Sequence, residues 1–375
     1  MRVLMVARHY PPRVSGGARR PFLLAEGLRA LGHEVRVVAP LLPEGEAGLA
    51  VLHVAAAAPG EPESVARAPS TPLRDAVRAH AMLPDPDIRW ALAAARRVRE
   101  AGWSAPDWVI TTSPPESVHV AGALLARRTG ARWIADLRDS WLEEPLMAVR
   151  RGRLRRRAER PLARALLSRA DLVTAATPTI RDEAERLGAR APIVLPQPGP
   201  PPARPETRDH DGPLALLHTG SFSLSQAERR IGPLLDLFGA ARAGGFDLRL
   251  RLVGRLTEAE RTAARAAGAQ VRPSVPMDEA WALQREADVL VLVAADGTDA
   301  VPGKLAEYAA SGRPVLCLGG GAWRADVPGA DRPPLSLLTE LRAPEARMAL
   351  ARAQAYLAVT AEDVARRLVH AMEAL

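Results

Sequence analysis

A single lysine stands where its charge could do chemistry. The 375-residue chain contains 51 Lys and Arg residues, of which only Lys304, in the stretch VPGK, is lysine. VPGK follows the apolar run Val289–Val293 and precedes a helical pattern, so Lys304 falls at the start of a helix. A helix N-terminus carries unpaired amides and partial positive charge, and a lysine there is favourable beside an anion. We therefore predict a phosphate site, against the alternative of one surface lysine without a ligand.

Two carboxylates share this segment. Asp299 lies in the loop before the helix and Glu307 lies in its first turns. Carboxylate oxygens accept hydrogen bonds from the hydroxyls of a sugar or a ribose. Gly303 would let such a ligand approach the backbone closely. The alternative for Glu307 is a favourable interaction with the dipole of its own helix.

The elements that position these residues alternate between strand and helix. A strand, a loop with Gly16 and Gly17, a helix and a second strand open the chain, and the alternation restarts after residue 213. Between the two halves, residues 196–213 include seven prolines, which predicts a semi-rigid linker. We predict an N-terminal Rossmann-like domain over 1–195, a second one over 214–357, and a C-terminal helix over 358–375.

Composition narrows the class of protein. Hydrophobic residues are 47% and charged residues 25%, as in globular proteins, with a net charge of +8. The one cysteine, Cys317, cannot form an internal disulfide. The N-terminus is too weakly apolar for a signal peptide, and no apolar run is long enough for a membrane span. We therefore expect a cytoplasmic protein.

Positive charge is concentrated in residues 150–169, which hold nine arginines and one acid. One interpretation is an amphipathic helix that packs on the first domain; the other is docking on anionic lipid at the inner face of the membrane. No aromatic residue is interleaved with these arginines, which argues against binding of nucleic acid. The predicted apolar stripe comprises Leu154, Ala158, Leu162, Ala165 and Leu166.

Three stretches together resemble one enzyme family. The segment ADGTDAVPGKLAEYAASGRPVLCL is similar to the donor-binding segment of retaining GT-B glycosyltransferases of glycosyltransferase family 4 (group 1). That family has an E-x7-E pattern followed by G-x-P-V; here Asp299-x7-Glu307 is followed by Gly312-Arg-Pro-Val315. Two further segments also resemble the family: the opening stretch MRVLMVARHYPPRVSGGARR and, from Ser113 to Trp141, SPPESVHVAGALLARRTGARWIADLRDSW. The similarity therefore covers nearly the whole chain.

The resemblance implies an α/β GT-B fold, with two Rossmann-like domains whose parallel sheets face across a cleft. The first would be the acceptor domain and the second the donor domain, and the C-terminal helix over 358–375 would cross back to the first. It also implies a bacterial hexosyltransferase of glycan or natural-product biosynthesis, which retains the anomeric configuration. The donor would be a nucleotide-diphosphate sugar, UDP-sugar favoured over GDP-sugar, with no cofactor or metal. The acceptor would be a saccharide, a lipid-linked saccharide or a small molecule. The alternatives are a GT-B sugar-nucleotide epimerase and a non-catalytic subunit that binds the nucleotide sugar.

The resemblance assigns roles to individual residues. Glu307 would bind the ribose, and Asp299 would replace the first Glu of the pattern, one methylene shorter, beside the donor sugar. Arg229 or Arg230, with Arg229 preferred, would grip the diphosphate together with Lys304; the alternative is a solvated helix start.

In the first domain, His119 would contact the donor sugar, against a structural alternative. Arg138 and Asp139 would face the acceptor, unless the charges of the DLRD stretch pair with one another. The predicted catalytic set is His119, Arg229, Lys304 and Asp299. The predicted donor-binding set is Gly16, Gly17, Gly220, Arg229, Arg230, Asp299, Pro302, Gly303, Lys304, Leu305 and Glu307.

Overall fold

A computed structural model describes residues 1–11, 16–40, 51–54, 82–101, 105–143, 145–206, 212–226, 228–297 and 301–375. The chain divides into two compact units. The first contains Met1–Pro196 together with Glu362–Leu375, and the second contains Gln197–Ala361. Asp299 lies outside the described residues.

Seven strands of the first unit form one parallel sheet, in the order β3-β2-β1-β4-β5-β6-β7. The strands in the middle of this sheet are buried along nearly their whole length, as expected when helices cover both faces of a parallel sheet. Ile110 and Ile134, at the middle of neighbouring strands, are fully buried. The strands are β1 Arg2–Ala7, β2 Glu34–Pro40, β3 Val51–Val54, β4 Trp108–Ser113, β5 Arg132–Leu137, β6 Leu172–Ala175 and β7 Ile193–Val194.

The second unit has a five-stranded parallel sheet in the order β10-β9-β8-β11-β12. The chain moves outward from β8 through β9 to β10 and then returns to the other side of β8 with β11. Ligands of such sheets bind at the carboxyl ends of the strands where the order reverses, here β8 and β11. The strands are β8 Leu214–Thr219, β9 Leu248–Val253, β10 Gln270–Arg272, β11 Val289–Val293 and β12 Val315–Leu318.

Helices connect the strands and cover the sheets. The last of them, α12, lies in the first unit from Glu362 onward, although it follows the second unit in sequence. The described helices of the first unit are α1 Gly16–Ala30, α2 Ile88–Glu100, α3 Val118–Thr129, α4 Pro145–Leu167, α5 Pro178–Arg186 and α12 Ala361–Glu373. Those of the second unit are α6 Gly232–Ala243, α7 Glu258–Ala266, α8 Met277–Glu286, α9 Gly303–Ala310, α10 Pro334–Glu340 and α11 Pro344–Gln354. None of these helices is both long and apolar enough to cross a membrane.

The basic helix α4 packs in the first unit, and its buried face matches the predicted stripe only in part. Leu166 is buried and Leu162 packs against the core, as predicted. Ala158 is exposed, and the buried positions in its described part are Glu159, Ala163, Leu166 and Leu167. Glu159 can be buried because Arg155 pairs with it at 2.6 Å. The same guanidinium donates to the carbonyls of Met82 and Pro84. Arg155 is therefore structural, and the exposed arginines of this part are Arg157, Arg160 and Arg164.

The described part of the proline-rich segment packs on the second unit. The Gly199 amide donates to the Val359 carbonyl, and the Ala203 amide donates to the Ala310 carbonyl, both at 2.7 Å. The buried Arg313 guanidinium donates to the carbonyl of Glu206 at 2.5 Å. Residues 197–206 are thus fixed along the surface of that unit.

Candidate functional site

Lys304 lies at the switch point of the second sheet. Its Nζ is 3.3 Å from Oγ1 of Thr219, the last residue of β8, and 3.3 Å from Oε2 of Glu307. The ammonium also lies 5.6 Å from the ring centroid of Tyr308. The Lys304 side chain remains 26% exposed, so its charge is accessible at the carboxyl end of β8.

Two glycines make room for this lysine. A Cβ on Gly220, which has φ of +131°, would lie 2.7 Å from Cε of Lys304. A Cβ on Gly254 would lie 1.9 Å from the carbonyl oxygen of Gly220, so that position also excludes a side chain. The structure thus brings the predicted residues Gly220 and Lys304 together, although they are far apart in sequence.

The carboxylate of Glu307 is buried against protein partners. Its side chain is 1% exposed; Oε1 accepts from Nε2 of Gln284 at 2.6 Å, and Oε2 contacts Lys304. The predicted contact of Glu307 with a ribose stays a prediction. What the structure shows is an ion pair that fixes the lysine.

The structure distinguishes between the two candidate arginines. Arg230 is exposed, whereas Arg229 is partly buried and donates to neutral groups, Oγ of Ser225 at 3.2 Å and Oε1 of Gln226 at 3.3 Å. Among the described residues its buried Nε has no hydrogen-bond partner, and no carboxylate pairs with it. Burial lowers the pKa of Arg229. A partly desolvated cation with neutral neighbours is suited to an anionic ligand.

His218, on strand β8, is a buried histidine whose pKa is affected by the charges of Lys304 and Arg229. Its Nδ1 lies 2.9 Å from the Val291 carbonyl, so Nδ1 carries the proton, and the ring stacks on Phe222. Burial lowers the pKa of His218 to about 3, opposed by the bond to Val291 and reinforced by the charges of Lys304 and Arg229. Among the described residues, neither cation forms a hydrogen bond with the imidazole of His218, whose partner is the Val291 carbonyl.

At the start of α9, one of the predicted donor-binding residues, Leu305, uses its amide within the first turn. The Leu305 amide donates to the Pro302 carbonyl at 2.8 Å and is not available to an anion in this turn. The Leu305 side chain is buried in the core. Gly303 and Pro302 lie at the N-terminus of α9, with Gly303 exposed.

In the first unit, Gly16 and Gly17 are the first residues of α1 and not part of the preceding loop. A Cβ on Gly17 would lie 2.8 Å from Nη1 of Arg138, so this glycine allows the guanidinium to lie against the helix. Arg138 forms an ion pair with Asp139 at 3.1 Å. This is the alternative given above for the DLRD stretch, in which its charges pair with one another. The structure brings Gly17, Arg138 and Asp139 together after β5; their contact with an acceptor stays a prediction.

His119 is wholly buried, and its predicted contact with the donor sugar stays a prediction. Its Nδ1 lies 2.8 Å from Oγ1 of Thr111, and its ring stacks on Trp141 at 5.4 Å. Burial lowers the pKa of His119 to about 3, with the charge of Asp136 opposing the effect. The residue therefore packs the core between α3 and the loop after β5.

Asp136 has a partner that the sequence did not indicate. It pairs with Arg20 of α1 at 2.7 Å and accepts from the hydroxyls of Thr112 and Thr174. Burial would raise the pKa of Asp136, but the Arg20 charge and these hydrogen bonds hold it below its usual value. Arg20 also donates to the carbonyls of Leu195 and Pro196, which anchors the end of the unit.

The family comparison agrees with this architecture. Residues 15–199 match the model of the glycosyl transferase 4-like domain. Residues 15–199 thus form a glycosyl transferase 4-like domain. No curated protein sequence matches the chain at a significant level.

Solved structures share the fold over nearly the whole chain. A sucrose-phosphate synthase from Thermosynechococcus elongatus is 15% identical with a TM-score of 0.65, covering 100% of this chain and 98% of that one. WaaG, a glycosyltransferase involved in lipopolysaccharide biosynthesis, is 16% identical with a TM-score of 0.63 and 99% coverage of both chains. A structure described as trehalose-6-phosphate from E. coli bound with UDP-2-fluoro glucose is 11% identical, with a TM-score of 0.63 over 100% and 99% of the chains. These likenesses confirm the predicted GT-B fold of two parallel-sheet α/β domains.

Three residues of the site in the second unit were missed by sequence reasoning. The Tyr308 hydroxyl accepts from the Thr219 amide at 2.7 Å and so fixes the end of β8. Gln284 contacts both Thr219 and Glu307. The position of Tyr308 directly after Glu307 was a usable signal; Thr219 and Gln284 carried none, because their importance comes from contacts distant in sequence.

Proposed function

We propose that this protein transfers a glycosyl group from a nucleotide-diphosphate sugar to an acceptor hydroxyl. The observation that carries the proposal is the position of Lys304 at the end of β8, where Gly220 leaves space for it. Arg229, in the segment that follows β8, supplies a second, partly buried cation without a carboxylate partner among the described residues. A leaving nucleotide diphosphate develops negative charge as the glycosidic bond breaks. Side-chain cations placed there in advance stabilise that charge, each typically contributing about 3 kcal/mol to lowering the barrier.

The proposed chemistry needs no metal, because the two side chains supply the positive charge that a metal would otherwise bring. We infer retention of the anomeric configuration, with the acceptor hydroxyl attacking the face from which the diphosphate departs. The departing phosphate oxygen takes the acceptor proton, so no protein base is assigned. The first bond broken is that between the anomeric carbon and the phosphate oxygen, and the bond formed joins that carbon to the acceptor oxygen.

We propose a hexose on UDP as the donor, with GDP second. The neighbouring structure bound with UDP-2-fluoro glucose supports this choice. In the chain itself, Arg229 and Lys304 recognise the diphosphate and do not discriminate between bases. The proposed acceptor is a saccharide, a lipid-linked saccharide or a small molecule.

The exposed arginines of α4 support contact with an anionic membrane. Arg157, Arg160 and Arg164 point to the surface of a helix whose opposite side is packed in the core. Basic side chains near an anionic leaflet each contribute about 1 kcal/mol to binding. We therefore propose a cytoplasmic protein that docks on the inner face of the membrane and does not bind nucleic acid.

A panel of UDP- and GDP-sugars tests the function. Thermal unfolding with each donor identifies those that bind, and product analysis with the donor alone and with candidate acceptors follows. We expect stabilisation by at least one donor and formation of a glycoside only when acceptor is present. A changed sugar configuration with donor alone would establish the epimerase alternative, and binding without turnover on any acceptor would favour the non-catalytic subunit.

A further inference from the structure

Gln284 lies on α8, outside every motif that pointed to the site. Its side chain is 1% exposed, and its Nε2 donates to Oγ1 of Thr219 at 2.9 Å and to Oε1 of Glu307 at 2.6 Å. The same two residues contact Nζ of Lys304. Gln284, Thr219, Lys304 and Glu307 therefore form a closed ring of hydrogen bonds.

The chemistry of the ring fixes its direction. An ionised carboxylate only accepts hydrogen bonds and an ammonium only donates them, so the amide nitrogen of Gln284 must face Glu307. The two N–H groups of one amide then hold both partners of Lys304 at once. No other side chain of similar length offers two donors from one nitrogen without adding charge.

The glutamine is not explained by core packing alone. Its Oε1 is buried and has no hydrogen-bond partner among the described residues. A buried acceptor without a partner costs stability, whereas an apolar side chain of the same size would avoid that cost. A glutamine at this position is therefore consistent with a requirement for the two hydrogen bonds that its Nε2 donates.

We propose that Gln284 is a positioning residue of the diphosphate site, holding Thr219 and Glu307 so that Lys304 stands at the end of β8. This inference rests on the proposed function, because the diphosphate is the group that Lys304 would meet. Loss of the amide releases one oxygen of Glu307 and one contact of Thr219. The ammonium then loses its fixed position while its charge remains.

The single lysine makes the test direct. Labelling with 13C-lysine gives one Cε signal, because Lys304 is the only lysine of the chain. We would record that signal without ligand and measure the affinity for UDP, and for GDP if UDP does not bind. Gln284→Met removes both donors at similar volume. Arg285→Met, at the exposed neighbour on the same helix, is the matched control.

We expect Gln284→Met to move the Lys304 signal and to weaken nucleotide binding about tenfold, as for loss of a hydrogen bond to a charged group. Arg285→Met should change neither. If the unaltered protein binds nucleotide and Gln284→Met matches it in both measurements, the inference is overturned and the proposed function stands. If the unaltered protein binds neither UDP nor GDP, the proposed function is contradicted, and so is the inference that rests on it.

A second pair of variants keeps the test decisive if Gln284→Met does not fold. Thr219→Ser retains the hydroxyl that closes the ring, and Thr219→Val removes it at nearly the same size. We expect the serine variant to bind nucleotide like the unaltered protein and the valine variant to bind more weakly. Equal affinities for the two variants would overturn the inference.

Discussion

Nζ of Lys304 lies 3.3 Å from Oε2 of Glu307, a carboxylate whose side chain is only 1% exposed. The pair is unequal, since the lysine is a quarter exposed and the glutamate is closed off from solvent. A buried carboxylate holds the ammonium in place, and the exposed side of the cation is left toward solvent. This arrangement gives a mobile side chain a defined position before any ligand arrives.

Arg229 and Arg230 are adjacent, and this makes them a matched pair for mutation. We expect Arg229→Met to lower kcat by about a hundredfold, because a cation aimed at the developing charge is lost. Arg230→Met should have little effect, because that side chain is exposed. Steady-state kinetics with the best donor measure both. An equal loss in the two variants would contradict the assignment of Arg229.

Gly254 is required by the approach of two backbones. Gly254→Ala would place a methyl group 1.9 Å from the Gly220 carbonyl oxygen. We expect a loss of at least about 2 kcal/mol in the free energy of unfolding, since neither backbone segment can move freely. Gly239→Ala, on an open face of α6 with no atom within 4 Å, is the control and should stabilise by about 0.5–1 kcal/mol. Denaturant unfolding measures both; similar stability of the two variants would contradict the close approach.

Two buried histidines predict the acid sensitivity of the fold. The pKa values of His119 and His218 are lowered by burial from 6.5 to about 3. Below pH 6.5 the unfolded chain binds protons that the folded chain does not, so stability falls as the pH decreases toward 3. Each histidine contributes a slope of up to about 1.4 kcal/mol per pH unit in that range.

Denaturant unfolding between pH 7 and pH 4 checks this slope in the unaltered protein and in His119→Gln, which cannot titrate at that site. We expect the variant to lose less stability on acidification. The lowered pKa of Asp136 acts in the same direction at still lower pH, because its stabilising ion pair is lost on protonation. If the free energy of unfolding fell equally with pH in the two proteins, the pKa of His119 would have to be the same in the folded and the unfolded chain, contrary to this prediction.

The membrane proposal depends on three side chains of α4. Replacing Arg157, Arg160 and Arg164 by Gln should weaken binding to anionic phosphatidylglycerol vesicles by about 1 kcal/mol for each arginine. Sedimentation with vesicles measures this, and neutral phosphatidylcholine vesicles should bind neither protein. The matched control removes equal charge elsewhere, by replacing the exposed arginines of α2, namely Arg96, Arg97 and Arg99. Equal weakening by both sets would mean that net charge and not α4 drives binding.

Much of the architecture was predictable, for a simple physical reason. Strands of a parallel sheet are buried on both faces, so runs such as Val289–Val293 are recognisable as continuous apolar stretches. The position of Lys304 was predictable too, because a strand end, a glycine and a helix start follow one another in sequence. The fold and the single lysine thus depend on local patterns.

Contacts between distant residues were not predictable. Whether a histidine is exposed depends on what folds over it, and Trp141, 22 positions away, covers His119. Asp136 is paired with Arg20, 116 positions earlier, and not with its neighbour Arg138. The burial of Glu159 on α4 was not predictable either, because it depends on the ion pair with Arg155, which no apolar pattern reveals.

The affinity of Lys304→Ala for UDP tests the diphosphate site most directly. Removal of the ammonium takes away a charge-assisted contact with the phosphates, while Glu307 keeps its bond from Gln284. We expect UDP binding to weaken at least about tenfold, with circular dichroism like that of the unaltered protein. Unchanged affinity in a correctly folded Lys304→Ala variant would contradict the placement of the leaving group beside this lysine.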